Sequence, residues 1–143
     1  MDKNIVNILH DENCSCVIAN SQGVFRYYQK GILDLYELYT DHPDRLAGAS
    51  IADKVVGKGA AALMITGGIK ALYTDVISRP ALQLLESAHI EVEYGRCVPN
   101  IINRKGTGIC PVESLCADCT DATECLPLIS QFVKTLPKTT VAK

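Results

Sequence analysis

The amino-terminal third of the chain carries the pattern of a β-hairpin followed by a short helix. Residues 15–19 and 24–28 are rich in β-branched, aromatic and small apolar residues, as expected for strands. The intervening residues 20–23 include Asn and Gly, which suit the positive φ angles of a turn. Leucines and tyrosines over 33–39 predict a short helix, and residues 42–44 predict a loop.

The longest apolar segment, residues 51–65, predicts a helix that is buried on every side, because it lacks a polar face. Ser50 is a suitable N-cap for this helix, and Gly67-Gly68 is a strong stop signal.

Beyond residue 70, strand and helix patterns alternate. The further predicted elements are a strand over 71–77, a helix capped by Ser78 with Pro80 in its first turn, a strand over 90–94, a turn-rich loop over 98–109, a helix opened by Cys110 and an amphipathic segment over 126–136. Strands that alternate with helices after a hairpin favour parallel pairing and a sheet covered on both faces. The pattern therefore predicts an α/β fold whose mixed sheet begins with a hairpin.

The composition agrees with one globular domain and argues against one class of binding partner. The chain has 143 residues, of which 48% are hydrophobic, enough to form a core. We expect a single domain over 1–137 and a disordered tail over 138–143. The 14 Lys and Arg against 16 Asp and Glu form no basic run, which argues against extended nucleic acid but leaves a small anionic ligand open.

No segment suggests a membrane or secretory role. Residues 1–9 lack the basic stretch and long apolar run of a secretory signal, and no apolar run approaches membrane-spanning length. We therefore expect a cytoplasmic protein with no membrane partner, in which the seven cysteines are thiols. The buried-looking apolar segments leave a homodimer open.

Three charges mark the start of the apolar helix predicted over 51–65: Asp53, Lys54 and Lys58. On a helix the two lysines repel each other at i and i+4, and the dipole disfavours Lys54 in the first turn. Gly57 and Gly59 each cost up to about 1 kcal/mol relative to Ala, which suggests close approach of a neighbouring backbone or a ligand. We interpret this helix start as an anion pocket; the alternative is a solvated helix end.

The second candidate region is the segment around Cys110. Pro111 suits the first helical position and Glu113 the third, so we predict that Cys110 is the N-cap and Glu113 its capping-box partner. A thiol at a helix N-terminus tends to have a lowered pKa, which makes Cys110 the best candidate for a reactive thiol. Upstream, Asn103 and Arg104 are candidates for contact with an anion. The alternative is that Cys110 is a buried small apolar residue and Glu113 only a cap.

The carboxy-terminal cysteines permit a thiol or metal hypothesis. Cys110, Cys116, Cys119 and Cys125 have the spacing C-x5-C-x2-C-x5-C, in which only the central pair has a spacing common in metal sites. This single pair is a weak signal, and we predict no metal or other cofactor.

Three segments resemble one family. They are ADKVVGKGAAAL, VISRPALQLL and IINRKGTGICPVESL, and together they look like the family of uncharacterised proteins called domain of unknown function 1893. The resemblance extends over roughly residues 14–116. It implies a cytidine deaminase-like fold, a three-layer α/β/α sandwich.

The resemblance also implies where the cleft lies and which chemistry it lacks. Zinc-dependent deaminases begin one helix with H-x-E or C-x-E and the next with P-C-x-x-C. The corresponding positions here are expected to be Ala52-Asp53-Lys54 and Ser78-Arg79-Pro80, which contain no His or Cys. The chain is therefore not expected to be a zinc-dependent cytidine deaminase, although Asp53, Lys54, Ser78 and Arg79 are expected to line the cleft.

We favour two functions over the thiol or metal hypothesis. In the first, the protein is a metal-free enzyme: Lys54 or Lys58 holds an anionic or carbonyl group, Asp53 is the acid and base, and Cys110 is a nucleophile. In the second, the same pocket only binds or senses a nucleotide-like or other anionic metabolite. Ser78, Arg79, Asn103, Arg104 and Glu113 complete the predicted ligand-binding residues of either function.

Overall fold

The hairpin lies at one edge of a five-stranded sheet. The structure, a computed structural model, describes residues 3–28, 32–102, 106 and 108–135. Strand β1 (Cys16–Asn20) pairs antiparallel with β2 (Gly23–Tyr27), as predicted, and the turn between them includes Gly23 at φ +141°. The predicted tail over 138–143 lies outside the described residues.

The other three strands are parallel to one another. They are β3 (Ser50–Val56), β4 (Ala71–Ser78) and β5 (Glu91–Val98), and the sheet order is β2-β1-β3-β4-β5. Strand β1 pairs antiparallel with β3, so the sheet is mixed. The predicted strands over 71–77 and 90–94 are confirmed, and β5 extends further than predicted, to Val98.

Seven helices accompany the sheet within the described residues. They are α1 (Lys3–Asp11), α2 (Leu33–Asp41), α3 (Pro43–Leu46), α4 (Lys58–Gly67), α5 (Arg79–Ser87), α6 (Pro111–Cys116) and α7 (Ala122–Lys134). The predicted helix over 33–39 is confirmed as α2. The loop predicted over 42–44 is wrong in part, because Pro43 begins the short helix α3.

The largest error in the sequence prediction is the segment that begins at Ser50. It is not the start of a helix over 51–65 but strand β3, and helix α4 begins only at Lys58. A central parallel strand is buried on both faces and therefore reads as a continuous apolar run, which periodicity alone cannot distinguish from a buried helix. Gly57, in extended conformation, separates the two elements and caps α4.

Helices cover both faces of the sheet. Val17 belongs to a small buried cluster with Ile5 and Leu9 of α1, whereas its neighbour Ile18 belongs to the main core. Because successive strand residues point to opposite faces, α1 covers one face and the main core lies on the other. The sequence prediction began its elements at the hairpin and missed α1, whose Ile5 and Leu9 stand at the helical spacing of four.

Helix α4 lies in the centre of the main core and is nearly all apolar, as predicted for this part of the segment. It packs against α2, α3, α5, α6 and α7 as well as β3. It ends at Gly67, and Gly68 follows in the left-handed conformation at φ +83°, which confirms the predicted stop. Ser78 caps α5 by accepting a hydrogen bond from the Ala81 N–H at 3.2 Å, also as predicted.

Of the two carboxy-terminal helices, α6 begins at Pro111, as predicted, whereas α7 begins earlier than expected. Helix α7 begins at Ala122 rather than near residue 126, and Asp121 caps it by accepting from the Glu124 N–H at 3.1 Å. In the described part of the chain, no helix has the length and apolar character needed to cross a membrane.

Candidate functional site

Three elements meet beyond the carboxyl ends of the parallel strands. Helix α4 begins after β3, helix α5 begins after β4, and Ile101 follows β5. Ligands of open α/β sheets bind at this edge because helix N-termini present free N–H groups there. In this chain the side chain of Glu113, from the first turn of α6, occupies that position.

The buried carboxyl group of Glu113, 3% exposed, accepts three hydrogen bonds. Its Oε1 accepts from the main-chain N–H of Lys58 at 2.7 Å and from the Ser78 hydroxyl at 3.0 Å. Its Oε2 accepts from the main-chain N–H of Ile101 at 2.6 Å. The three donors come from the N-terminus of α4, the N-cap of α5 and the segment after β5, and none of them carries a formal charge. We call this arrangement the Glu113 clasp.

Two glycines make room for the close contact between the start of α4 and α6. A Cβ on Gly57 would lie 3.1 Å from Oε1 of Glu113 and 3.2 Å from a side-chain carbon of Ile101. A Cβ on Gly59 would lie 2.3 Å from a methyl group of Val112, well inside van der Waals contact. The close approach inferred from these glycines is therefore made, in this structure, by side chains of the same chain.

Lys58 connects to α6 a second time, through its side chain. Lys58 is buried, 7% exposed, and its ammonium group donates to the carbonyl oxygens of Ala117 at 3.1 Å and Cys119 at 2.6 Å. These carbonyls lie at and just beyond the carboxyl end of α6, where a cation is favourable. The main chain and side chain of Lys58 thus hold opposite ends of α6.

The prediction of a capping box at Cys110 is wrong. Cys110 is the N-cap of α6 by position, but in the described part of the chain its thiol makes no capping hydrogen bond. Glu113 does not reach back to Cys110, because its two oxygens bind the three donors of the Glu113 clasp. Cys110 is half-buried, and its N–H donates to the Ile101 carbonyl at 2.8 Å.

Asp53 lies on strand β3, not in the first turn of a helix. It is 9% exposed, and burial raises the pKa of its carboxyl group to about 7, against hydrogen bonds from main-chain N–H groups, including that of Val55 at 3.4 Å. The carboxyl group of Asp34, on α2, raises the pKa of Asp53 further. Cys16 lies directly opposite Asp53 on β1, and burial first, then the neighbouring Asp53, raises the pKa of its thiol.

Four predicted site residues remain: Lys54, Arg79, Asn103 and Arg104. Lys54 lies on strand β3, so it does not share a helix face with Lys58. Its ammonium group contacts the side-chain oxygen of Asn13. Arg79, exposed, follows Ser78 in the first turn of α5. Asn103 and Arg104 lie outside the described residues.

The structure therefore joins Lys58, Ser78 and Glu113 and separates them from Lys54. Ile101 was missed, since a main-chain donor leaves no mark in the sequence. Cys16 was missed as a partner of Asp53, because the register of β1 against β3 cannot be read from either strand alone. Within the described residues, no group of three or more His, Cys, Asp or Glu side chains is arranged to hold a metal ion.

The fold and this edge define a mixed α/β protein with a five-stranded sheet and a carboxylate-centred site at the ends of its parallel strands. The chain belongs to the family described as domain of unknown function 1893, whose profile matches residues 4–133. The crystal structure of a family protein, TM1506 from Thermotoga maritima, is similar with a TM-score of 0.82 and 25% sequence identity. The similarity covers 92% of this chain and 91% of that one. No curated protein matches the sequence.

Proposed function

We propose that this protein binds a small anionic metabolite, without a metal ion, on the donors that Glu113 engages in this structure. The observation that carries the proposal is the Glu113 clasp itself: three uncharged donors from three elements converge on one anionic group. Neutral N–H and O–H donors at a helix N-terminus are the usual means of binding a carboxylate or phosphate in proteins. Glu113 then serves as an internal substitute for the ligand.

The surroundings of the clasp support exchange of Glu113 for a ligand. Glu113 belongs to α6, a helix of six residues whose N-cap lacks a side-chain hydrogen bond within the described region. Exposed Arg79 follows Ser78 in the first turn of α5, so a positively charged residue is adjacent in sequence to one of the donors. A ligand that binds here must displace Glu113, so its affinity is reduced by the stability of the clasp.

We also propose that the fold is cytidine deaminase-like. The order of hairpin, strand, helix, strand, helix and strand supports this assignment. Zinc-dependent members of that fold place ligands at the two helix starts, as H-x-E and P-C-x-x-C. Here those starts read Gly57-Lys58-Gly59 and Ser78-Arg79-Pro80, which offer no His or Cys. These residues do not fit a zinc ion, and we derive no zinc-dependent step.

The proposal is tested by ligand binding to the wild type and to Glu113→Ala. Thermal-shift screening with carboxylates, phosphates and nucleotides is followed by calorimetric titration of each ligand that stabilises the protein. We expect the Ala variant to bind such a ligand at least about tenfold more tightly than the wild type, because no internal carboxylate competes. In the Glu113→Ala background, Ser78→Ala should weaken binding, and Gly108→Ala, whose added Cβ meets no described atom within 4 Å, is the control.

Two results would contradict the proposal. One is that no anionic compound stabilises either protein. The other is that ligands bind the wild type and Glu113→Ala with equal affinity, which would place their site elsewhere.

The Asp53 carboxyl group favours a second candidate function, an enzyme that uses acid–base chemistry. A buried carboxyl with a pKa near 7 can both donate and accept a proton at neutral pH, and such groups are concentrated at active sites. The test is incubation of each ligand identified above with the wild type, Asp53→Asn and Cys16→Ser. Product formed by the wild type and lost in Asp53→Asn would support the enzyme, whereas binding without product favours the binding module.

A further inference from the structure

The Glu113 clasp is matched to a flat anionic group with two oxygens. Oε1 of Glu113 accepts two hydrogen bonds, from the Lys58 N–H at 2.7 Å and from the Ser78 hydroxyl at 3.0 Å. Oε2 accepts one, from the Ile101 N–H at 2.6 Å. A carboxylate offers about four lone-pair positions on its two oxygens, so these donors satisfy most of its hydrogen-bonding capacity. That is the condition under which such a group is tolerated in a buried position.

The Glu113 clasp supplies hydrogen bonds but no positive charge. Lys58 contributes its main-chain N–H, whereas its ammonium group donates to the carbonyl oxygens of Ala117 at 3.1 Å and Cys119 at 2.6 Å. In the part of the chain that the structure describes, no Lys, Arg or His side chain forms an ion pair with Glu113. The site therefore balances one buried negative charge with neutral donors alone.

A phosphate group would make larger demands on the same donors. It carries a charge of about −1.5 to −2 at pH 7 and three acceptor oxygens in a tetrahedral arrangement. Phosphate sites at helix N-termini use several successive N–H groups, and Arg and Lys are frequent partners of the charge. Each of the three elements here gives one donor. A phosphate in this place would keep one oxygen and much of its charge without a partner.

The space around the carboxyl group also favours two oxygens over three. A Cβ added at Gly57 would lie 3.1 Å from Oε1 of Glu113 and 3.7 Å from its carboxyl carbon. The same Cβ would lie 3.2 Å from a side-chain carbon of Ile101. The main chain of Gly57 therefore passes close to the carboxyl group on the side that Ile101 also borders. A tetrahedral anion, with an oxygen out of the carboxylate plane, is bulkier than the group held there.

We propose that the anion bound by the Glu113 clasp is the carboxylate of a small organic acid, and that phosphates and nucleotides bind there at least about tenfold more weakly. This inference rests on the function proposed above and specifies its ligand. A carboxylate on an unbranched aliphatic chain reproduces the group that the Glu113 side chain presents to the same donors.

The experiment compares acetate with methylphosphonate, two probes that share a methyl group and differ in the anion. Each is titrated into the full-length Glu113→Ala protein at constant pH and ionic strength, followed by calorimetry and by the amide NMR signals of Lys58 and Ile101. We expect acetate to bind saturably, to shift both signals and to have a dissociation constant at least about tenfold lower than that of methylphosphonate. Acetamide should not bind, because its N–H₂ group would face donors.

Two further substitutions show whether the donors make the contact. In the Glu113→Ala background, Ser78→Ala removes one donor and should weaken acetate binding about fivefold or more. Gly108→Ala, whose added Cβ meets no described atom within 4 Å, should leave it unchanged. If Glu113→Ala is unfolded in buffer, the same comparison is read as recovery of dispersed amide signals, and acetate should restore them at a lower concentration than methylphosphonate.

The failure of this inference differs from the failure of the proposed function. Methylphosphonate that shifts the Lys58 and Ile101 signals and binds less than about tenfold more weakly than acetate would overturn the preference for a carboxylate, while the anion site would stand. Binding of neither probe, with no recovery of the folded state by either, would overturn the proposed function and this inference with it. Acetate that binds without moving the two amide signals has its site elsewhere and contradicts both.

Discussion

Two buried carboxyl groups in this protein have opposite environments. Glu113 accepts hydrogen bonds from three donors at 2.6 to 3.0 Å, supplied by three different elements. Asp53, on the central strand β3, has a main-chain N–H at 3.4 Å, a neighbouring thiol and the carboxyl group of Asp34. Burial is similar at the two positions, and the number and closeness of donors differ.

The difference shows why burial alone does not assign a role to an acidic residue. Buried polar groups are tolerated where hydrogen bonds replace those lost to water. Glu113 meets that condition and joins α4, α5 and α6 together. Asp53 meets it only in part, so burial raises the pKa of its carboxyl group to about 7.

The largest expected effect is the loss of the Glu113 carboxyl group. Glu113→Ala leaves three donors without their acceptor, at about 1–3 kcal/mol for each buried group. We expect the free energy of unfolding, measured with urea, to fall by about 3 kcal/mol or more. A loss below about 1 kcal/mol would show that the donors find other partners and that the clasp contributes little to stability.

The comparison becomes sharper when each acid is replaced by its amide. At pH 8 Asp53→Asn should raise the free energy of unfolding, because the ionised wild-type carboxyl is poorly solvated there. Glu113→Gln should lower it by about 1–3 kcal/mol, because an amide N–H₂ would face donors rather than acceptors. Equal signs for the two substitutions would contradict the contrast between the two sites.

Asp53 also predicts a dependence of stability on pH. Its pKa is raised from 3.8 in the unfolded chain to about 7 in the folded protein, so the folded protein binds the extra proton between these values. The contribution of Asp53 to stability is fully present below pH 3.8 and is lost as the pH rises to about 7. Urea unfolding of the wild type and of Asp53→Asn over this range measures that contribution. The difference between their free energies of unfolding should change steadily with pH and become constant above about pH 7. A pH-independent difference would contradict the raised pKa.

A smaller effect is expected from crowding the contact between α4 and α6. Gly59→Ala gains up to about 1 kcal/mol of helix propensity but places a methyl group 2.3 Å from Val112, and such overpacking costs about 1–3 kcal/mol. We expect a net loss of about 1 kcal/mol in thermal or urea unfolding. Gly108→Ala is the matched control, and a stabilised Gly59→Ala protein would show that Val112 moves aside freely.

The sequence identified much of the fold and the neighbourhood of the site, but not its arrangement. Local signals were sufficient for the hairpin, for Ser78 as a cap and for the stop at Gly68, because each depends on a few adjacent residues. Strand β3 was mistaken for helix because a strand buried on both faces has no alternation to reveal it. Lys58, Ser78 and Glu113 were each identified as ligand-binding candidates, but their contact arises from long-range packing. A capping box was the nearest local explanation for Glu113, and it was wrong.

The most direct test of the Glu113 clasp as an anion site is rescue of Glu113→Ala by a small carboxylate. The melting temperature of the variant is measured in formate, acetate and chloride at constant ionic strength and pH, with the wild type alongside. The account predicts a saturable rise in the melting temperature of the variant in formate or acetate, absent in chloride, and no such rise in the wild type. Equal melting temperatures of the variant in all three salts, or the same rise in both proteins, would contradict it.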